Sequence, residues 1–305
     1  MTSIAAWGKL PGHGDFLRIG SDSAPVAAFD AAFTALCLDA AQAEIFAVGG
    51  PVVAFIRQAD RWWGAVVLPS TDRVGRHAPF VAVAGIRSVD PADEIGVLPL
   101  AFAPFIQRVL SQHAIGWPVE GEALRQLLAG FGADLSLDAG DEAFVAHLEA
   151  TTQESLVTAF GGPGPFTAIL RTVVAAATGH LHGCGIRVAP VAGPVQAGFW
   201  LAAAWLVRAR DETPGPLVLH PGGVGIAPSI TQLWPAPTAA QFAAALWPAS
   251  SRAEHGAQPI MAPAPQIPEE LHLPTDLLTE PRAHLRDLLY RLVSQRRTQR
   301  YPRSG

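Results

Sequence analysis

A lysine inside a glycine-rich segment is the first place where residue types in this sequence could perform chemistry. Lys9 follows Gly8 and precedes Gly12 and Gly14, and the backbone amides of glycine-rich loops can bind phosphate. A phosphate-binding P-loop, however, carries its lysine after the glycines, beside the start of a helix. Because Lys9 precedes most of the glycines, its spacing favours a structural turn or a partner-binding surface, and nucleotide binding stays the alternative.

A second polar loop offers groups for acid–base work or for recognition. It contains Asp72 and Arg76. Asp72 could form an acid/base set with His13 and Asp15 if the two loops met in the fold. No Gly-x-Ser-x-Gly nucleophile elbow accompanies it. Two roles are open for these side chains. In the structural role, Asp15 and Asp72 cap turns and Arg76 pairs with one of them. In the recognition role, the loops bind a partner.

One further set of residues resembles a metal site. His180, His182 and Cys184 alternate along the chain, so on a strand they would share one face. Neighbouring positions on that face lie about 7 Å apart, and no fourth ligand is indicated by the sequence. We therefore expect ordinary polar or core residues there, and no metal or other cofactor.

Composition limits the class of protein. The 305 residues are 50% hydrophobic and 15% charged, with a net charge of −5, which excludes a disordered chain and argues against a nucleic-acid-binding domain. We expect a cytoplasmic protein that is not integral to a membrane, because no signal peptide is evident and the longest apolar stretch, 197–207, is too short to span a bilayer. The charge is unevenly distributed: residues 281–305 carry seven arginines and one acid, and the remainder sums to −11.

Hydrophobic periodicity predicts a mixture of helices and strands. We expect strands at 51–57, 62–68, 79–86, 186–189, 199–201 and 216–220. We expect helices from about 24 to 43, around 102–110, at 120–130, 140–159 and 240–247. Three consecutive antiparallel strands after a helix favour an α/β (α+β) fold with a central, mainly antiparallel sheet flanked by helices.

The C-terminal part differs from the rest. Residues 1–247 are predicted to form the main domain, 248–274 a proline-rich linker, and 275–305 a basic amphipathic tail whose helix spans about 280–297. Leucines recur in that helix at a spacing of three or four, and Arg286 and Arg291 flank them. The helix either packs on the acidic body of the chain or binds elsewhere, to a partner groove or acidic protein face, a membrane surface or a nucleic acid.

The two loops together resemble a known family. Gly8-Lys9-Leu10-Pro11, followed by Gly14-Asp15-Phe16, is similar to the opening motif of the TagF (ImpM) family of bacterial type VI secretion systems. Pro69-Ser70-x-Asp72-x-Val74-Gly75-Arg76, followed by Pro79, is similar to its second motif. The resemblance covers residues 4–86 and continues more weakly to about 250. It departs at Ala78, where the family usually has a bulky aromatic residue.

The resemblance implies a non-enzymatic regulator that restrains assembly or activity of a type VI secretion system after translation. The implied partner is the forkhead-associated (Fha) scaffold protein of that system, with peripheral association with the secretion apparatus and no cofactor. The alternative is a small hydrolase or nucleotide-binding enzyme that uses the glycine-rich loops. The candidate motif and partner-binding residues are Gly8, Lys9, Pro11, Gly14, Asp15, Phe16, Ser70, Asp72, Gly75, Arg76, Arg286 and Arg291.

Overall fold

The structure is a computed structural model that describes most of the chain. The described residues are 3–20, 24–37, 50–88, 94–132, 135–177, 185–189, 191, 193–208, 214–221, 228–247, 256–260 and 284–300. Their strands are β1 Ser3–Gly8, β2 Leu17–Ile19, β3 Val52–Gln58, β4 Arg61–Thr71, β5 His77–Arg87, β6 Gly185–Ala189, β7 Leu217–His220, β8 Ser229–Leu233 and β9 Gly256–Ile260.

Ten helices accompany these strands in the described residues. They are α1 Ala24–Cys37, α2 Leu98–Ala101, α3 Ala103–Ile115, α4 Gly121–Phe131, α5 Leu137–Ala150, α6 Gln153–Ala159, α7 Pro163–Ala177, α8 Gly193–Arg208, α9 Ala239–Leu246 and α10 Leu285–Arg300. None of the described helices is both long and apolar enough to cross a membrane.

All nine strands form one sheet. Their order is β2-β1-β5-β4-β3-β7-β8-β6-β9, and every neighbouring pair is antiparallel. The predicted α+β class with a mainly antiparallel sheet is confirmed. The long strand β5 pairs with β1 on one side and with β4 on the other, so the end of β1 lies beside the β4–β5 turn. This adjacency positions the candidate site.

Each face of the sheet is covered by helices because its strands are apolar on both sides. On one face, Phe29 of α1 and Phe242 of α9 pack with strand residues such as Val67. On the other face, the remaining helices form the larger core, which includes Phe102 and Trp200. The two hydrophobic cores cover both faces of the sheet. The end of the sheet that carries the β4–β5 turn remains exposed to solvent.

Two predicted elements were wrong. Residues 199–201 are not a strand but part of α8, where Phe199, Trp200 and Leu201 are all buried. A helix that is apolar around its circumference has no helical stripe, so periodicity could not distinguish it from a buried strand. The single helix predicted over 140–159 is two helices, because Thr152 caps α6 by accepting a bond from the Ser155 amide.

Some strands are longer than predicted, and some predicted features lie outside the described residues. Strands β4 and β5 continue into the segment predicted as a polar turn, which shortens that turn to residues 72–76. Strand β9 falls inside the predicted proline-rich linker and pairs with β6 at the sheet edge. The predicted end of the first helix, 38–43, lies outside the described residues, as do His180, His182 and Cys184.

Helix α10 packs on the body of the chain. It contacts α5 and α8, and its stripe of Leu285, Leu288, Leu289 and Leu292 is buried. Arg286 forms an ion pair with Glu149 of α5. Of the two alternatives for the basic helix, the structure therefore shows intramolecular docking for residues 285–292.

We expect Leu288→Ala to lower the free energy of unfolding by about 2–5 kcal/mol, because it would leave a cavity at a fully buried position. Tyr290→Ala is the matched control on the same helix, since that side chain is 63% exposed, and it should cost less than about 1 kcal/mol. Urea unfolding measures both. Equal losses would contradict the docked position of α10.

His220 gives the fold a pH dependence. Burial, with a smaller effect from Arg187, lowers the pKa of His220 from 6.5 to about 4, and its Nε2 lies 2.9 Å from the Ala245 carbonyl oxygen of α9. Between pH 4 and pH 6.5 His220 is protonated in the unfolded chain but neutral in the folded chain. The contribution to stability is therefore complete above pH 6.5 and is lost as the pH falls toward 4, by about 3 kcal/mol in all.

His220→Gln should reduce this pH dependence. At pH 8 His220 is neutral in both the folded and the unfolded chain, so the stability that the variant loses there reports only the altered packing. From pH 6.5 to pH 4 the free energy of unfolding should fall less in the variant than in the wild type. Urea unfolding at a series of pH values makes the comparison. An unchanged slope in the variant would show that His220 is not responsible.

Candidate functional site

The first loop, residues 9–16, begins where β1 makes its closest approach to β5. Gly8 ends β1 with φ +123°, and a Cβ placed on it would lie 1.9 Å from the Pro79 carbonyl oxygen. The Lys9 amide donates to that same oxygen at 3.1 Å. Only glycine permits this backbone conformation and this approach together, so Gly8 determines where Lys9 leaves the sheet.

The second loop, residues 72–76, is folded around one carboxylate. Oδ1 of Asp72 accepts hydrogen bonds from the amides of Val74 and Arg76 at 3.0 and 2.9 Å. The Gly75 amide donates to the Asp72 carbonyl at 3.0 Å, with φ +85° at Gly75. An aspartate that caps its own turn is a common local arrangement, and this is one of the two roles that the sequence left open for Asp72.

An ion network joins the two loops. Oδ2 of Asp72 lies 2.8 Å from Lys9 Nζ and 2.6 Å from Arg76 Nε. A terminal nitrogen of Arg76 also donates to the Gly14 carbonyl at 2.8 Å. The Asp72 side chain is fully buried and Lys9 is only 5% exposed. Two cations on one buried carboxylate satisfy its charge and hold the loops together.

The network also determines the charge state of Asp72. Burial alone would raise the pKa of this carboxyl, but hydrogen bonds from Lys9, Arg76 and the Val74 amide outweigh it and hold the pKa far below 3.8. Because the folded-state pKa is depressed, the group stabilises the fold above pH 3.8, and that contribution is lost as the pH falls below this value.

Two aromatic rings contribute to the packing of the first loop. The Lys9 ammonium lies 5.0 Å from the centre of the Phe16 ring, within the range of a cation–π contact. The Phe16 ring lies 5.5 Å from that of Trp7. These contacts fix the return of the chain from the first loop into β2.

A third loop, residues 116–120, belongs to the same site and was missed by the sequence analysis. His13 Nε2 lies 3.3 Å from the Pro118 carbonyl oxygen, and the Trp117 ring packs 4.9 Å from that of Phe80. Gly12 faces Val119, whose Cγ2 would lie 2.9 Å from a Cβ at Gly12. The Gly116-Trp117-Pro118 run was the available turn signal.

The structure brings most candidate residues together. Those on or beside the first two loops are Gly8, Lys9, Pro11, Gly14, Asp15, Phe16, Ser70, Asp72, Gly75 and Arg76. Arg286 and Arg291 are not among them, because they lie on α10 against α5 and α8.

Individual candidates have distinct surroundings. Ser70 lies in β4, and its buried Oγ has no hydrogen-bond partner among the described residues. Asp15 is exposed and forms no hydrogen bond or ion pair with the residues that the structure describes. The sequence left open whether Arg76 pairs with Asp15 or with Asp72. In the structure it pairs with Asp72.

The geometry does not assemble the acid/base set considered above. Although the loops meet, Asp72 is bound by two cations, and His13 Nε2 faces a backbone carbonyl oxygen. Among the described residues, no group of three His, Cys, Asp or Glu side chains could hold a metal ion. What the described arrangement offers is a rigid, three-loop surface.

Comparison with known proteins adds the decisive observation. Residues 5–129 match the family model of the TagF N-terminal domain, which is type VI secretion system-associated. This part of the chain is therefore similar to a TagF N-terminal domain. The matched segment contains all three loops, including the third, which lies outside the motifs recognised from the sequence.

One solved structure is also similar to the chain. It is the crystal structure of PA0076 from Pseudomonas aeruginosa PAO1 at 2.05 Å resolution, with 18% sequence identity and a TM-score of 0.45. The match covers 86% of this chain and 100% of that one. No curated protein sequence matches the chain significantly.

Proposed function

We propose that this protein is a non-enzymatic, cytoplasmic regulator that restrains a bacterial type VI secretion system by binding its Fha scaffold protein. The observation that carries the proposal is the TagF N-terminal domain over residues 5–129. A restraining role and the scaffold as partner are what the resemblance of the two loop motifs implies. The protein would act after translation, at the periphery of the secretion apparatus.

The geometry of Lys9 supports binding over catalysis. It is the single lysine of the sequence, and its ammonium is committed to the buried Asp72 carboxylate at 2.8 Å. A lysine that cradles phosphate must instead direct its charge toward the ligand. Lys9 and Asp72 thus hold the two loops together and are not directed at a ligand.

Deletion of the gene in the host tests the regulatory role. We expect more effector protein in the culture medium of the deletion strain, and a return to the wild-type amount when the gene is restored. The tagged protein should copurify with the Fha scaffold from the restored strain. Unchanged secretion together with no copurified scaffold would contradict the proposal.

A thermal-shift screen with nucleotides and divalent metals tests the enzymatic alternative. We expect no increase in the melting temperature with any of them, because Lys9 is occupied by Asp72. A ligand that binds the folded state at a concentration a hundredfold above its Kd would stabilise it by about 2.7 kcal/mol. A clear, saturable shift would favour the alternative.

A further inference from the structure

Exposed apolar side chains are concentrated on the three loops. Six large hydrophobic residues of the described chain are exposed, and four of them lie on these loops or at the end of α3 beside them. They are Phe16, Val74, Ile115 and Val119, with 45%, 68%, 81% and 65% exposure. Single exposed apolar residues are ordinary, but a concentration of them at one end of a domain indicates an interaction surface. We call residues 9–16, 72–76 and 115–120 the three-loop surface.

Hydrogen bonds hold the three-loop surface in one shape. The Arg73 amide donates to the His13 carbonyl at 3.0 Å, and Arg76 donates to the Gly14 carbonyl at 2.8 Å. His13 in turn faces the Pro118 carbonyl oxygen of the third loop. A surface held in this way loses little conformational entropy when a partner binds.

The charges of this surface are arranged unevenly. The Lys9–Asp72 pair is neutral, so Arg76 is a surplus cation, and its side chain is 59% exposed. Arg73 is exposed beside it and forms no ion pair with the described residues. Positive charge therefore lies on the second loop, within a chain whose first 280 residues sum to −11.

Acidic residues on the other two loops narrow the choice of partner. Asp15 and Glu120 are both exposed there, and they would repel a polyanion such as a nucleic acid or an anionic membrane. A protein surface can instead place a carboxylate against the arginines and apolar side chains against Val74 and its neighbours.

We propose that the three-loop surface is the docking face for an acidic, partly apolar protein surface, with carboxylates of the partner bound by Arg73 and Arg76. The proposal rests on the proposed function, because it takes the Fha scaffold as the protein that carries this surface. The apolar contacts supply most of the affinity, and the arginines determine the orientation and the dependence on salt.

Calorimetric titration of the purified full-length chain with the purified scaffold tests the apolar part. Val74→Asp should weaken binding at least about tenfold, because it places a charge in the centre of the contact. Val145→Asp, the same change at a 37% exposed position on α5, should alter the Kd less than about twofold. Both variants should melt within a few degrees of the wild type, since both positions are partly or largely exposed.

Charge reversal tests the choice of partner chemistry. Arg73→Glu should weaken scaffold binding about tenfold and reduce its dependence on salt, whereas Arg171→Glu, at an exposed position of α7, should change neither. If the wild type does not bind the scaffold, the proposed function fails and this proposal fails with it. If the wild type binds and Val74→Asp and Arg73→Glu bind equally well, only the docking face is overturned.

Discussion

Replacing Gly8 with alanine is expected to lower the free energy of unfolding by more than about 4 kcal/mol, or to prevent folding altogether. The new Cβ would lie 1.9 Å from the Pro79 carbonyl oxygen and 2.8 Å from the Phe80 Cα. Both are backbone atoms of a strand in the centre of the sheet, so they cannot move aside. Urea unfolding followed by tryptophan fluorescence measures the loss.

Gly75→Ala is the matched control for this prediction. Gly75 also has a positive φ, +85°, but no atom of the described part of the chain lies within 4 Å of a Cβ placed on it. Its substitution therefore adds backbone strain without a clash, and should cost about 1–2 kcal/mol. If the two alanine variants lose the same stability, the close approach of β1 to β5 at Gly8 is not the reason that a glycine is needed there.

Replacing Lys9 with methionine is expected to lower the Tm by about 10 °C. Methionine retains most of the buried volume but removes one of the two cations at the Asp72 carboxylate. The remaining partner, Arg76, is largely exposed, so its charge is screened by solvent. A buried carboxylate that loses its buried partner is costly, because its desolvation is no longer offset.

Adding Asp72→Asn to Lys9→Met should restore part of the lost Tm, because the double variant no longer contains the uncompensated buried charge. Arg125→Met is the control for loss of a cation, since its pair with Glu122 has both side chains at least 60% exposed. It should change the Tm by less than about 2 °C. Additive effects of the two substitutions in the double variant would contradict a coupled Lys9–Asp72 pair.

Local chemistry could be predicted from the sequence where neighbouring residues determine it. The alternation and turn residues of 51–68 predicted the β3–β4 hairpin. The leucine spacing predicted the apolar stripe of α10, which the structure shows to be buried. The turn-capping role considered for Asp72 also depends on residues within four positions of it. These features need no knowledge of the sheet order.

The assembled site could not be predicted in this way. Lys9 and Asp72 are 63 positions apart, and they meet only because β1 pairs with β5, so that Gly8 lies opposite Phe80 beside the β4–β5 turn. The third loop reaches the site through the packing of α3 and α4 against the sheet. Strand order and helix packing depend on contacts between distant residues, which a single sequence does not display.

Titration of the purified wild-type chain with the purified Fha scaffold tests the central claim most directly. We expect saturable binding that strengthens as the salt concentration is lowered, because the second loop presents Arg73 and Arg76 to carboxylates of the partner. The absence of binding at protein concentrations of about 100 μM, a range that includes weak specific complexes, would contradict it.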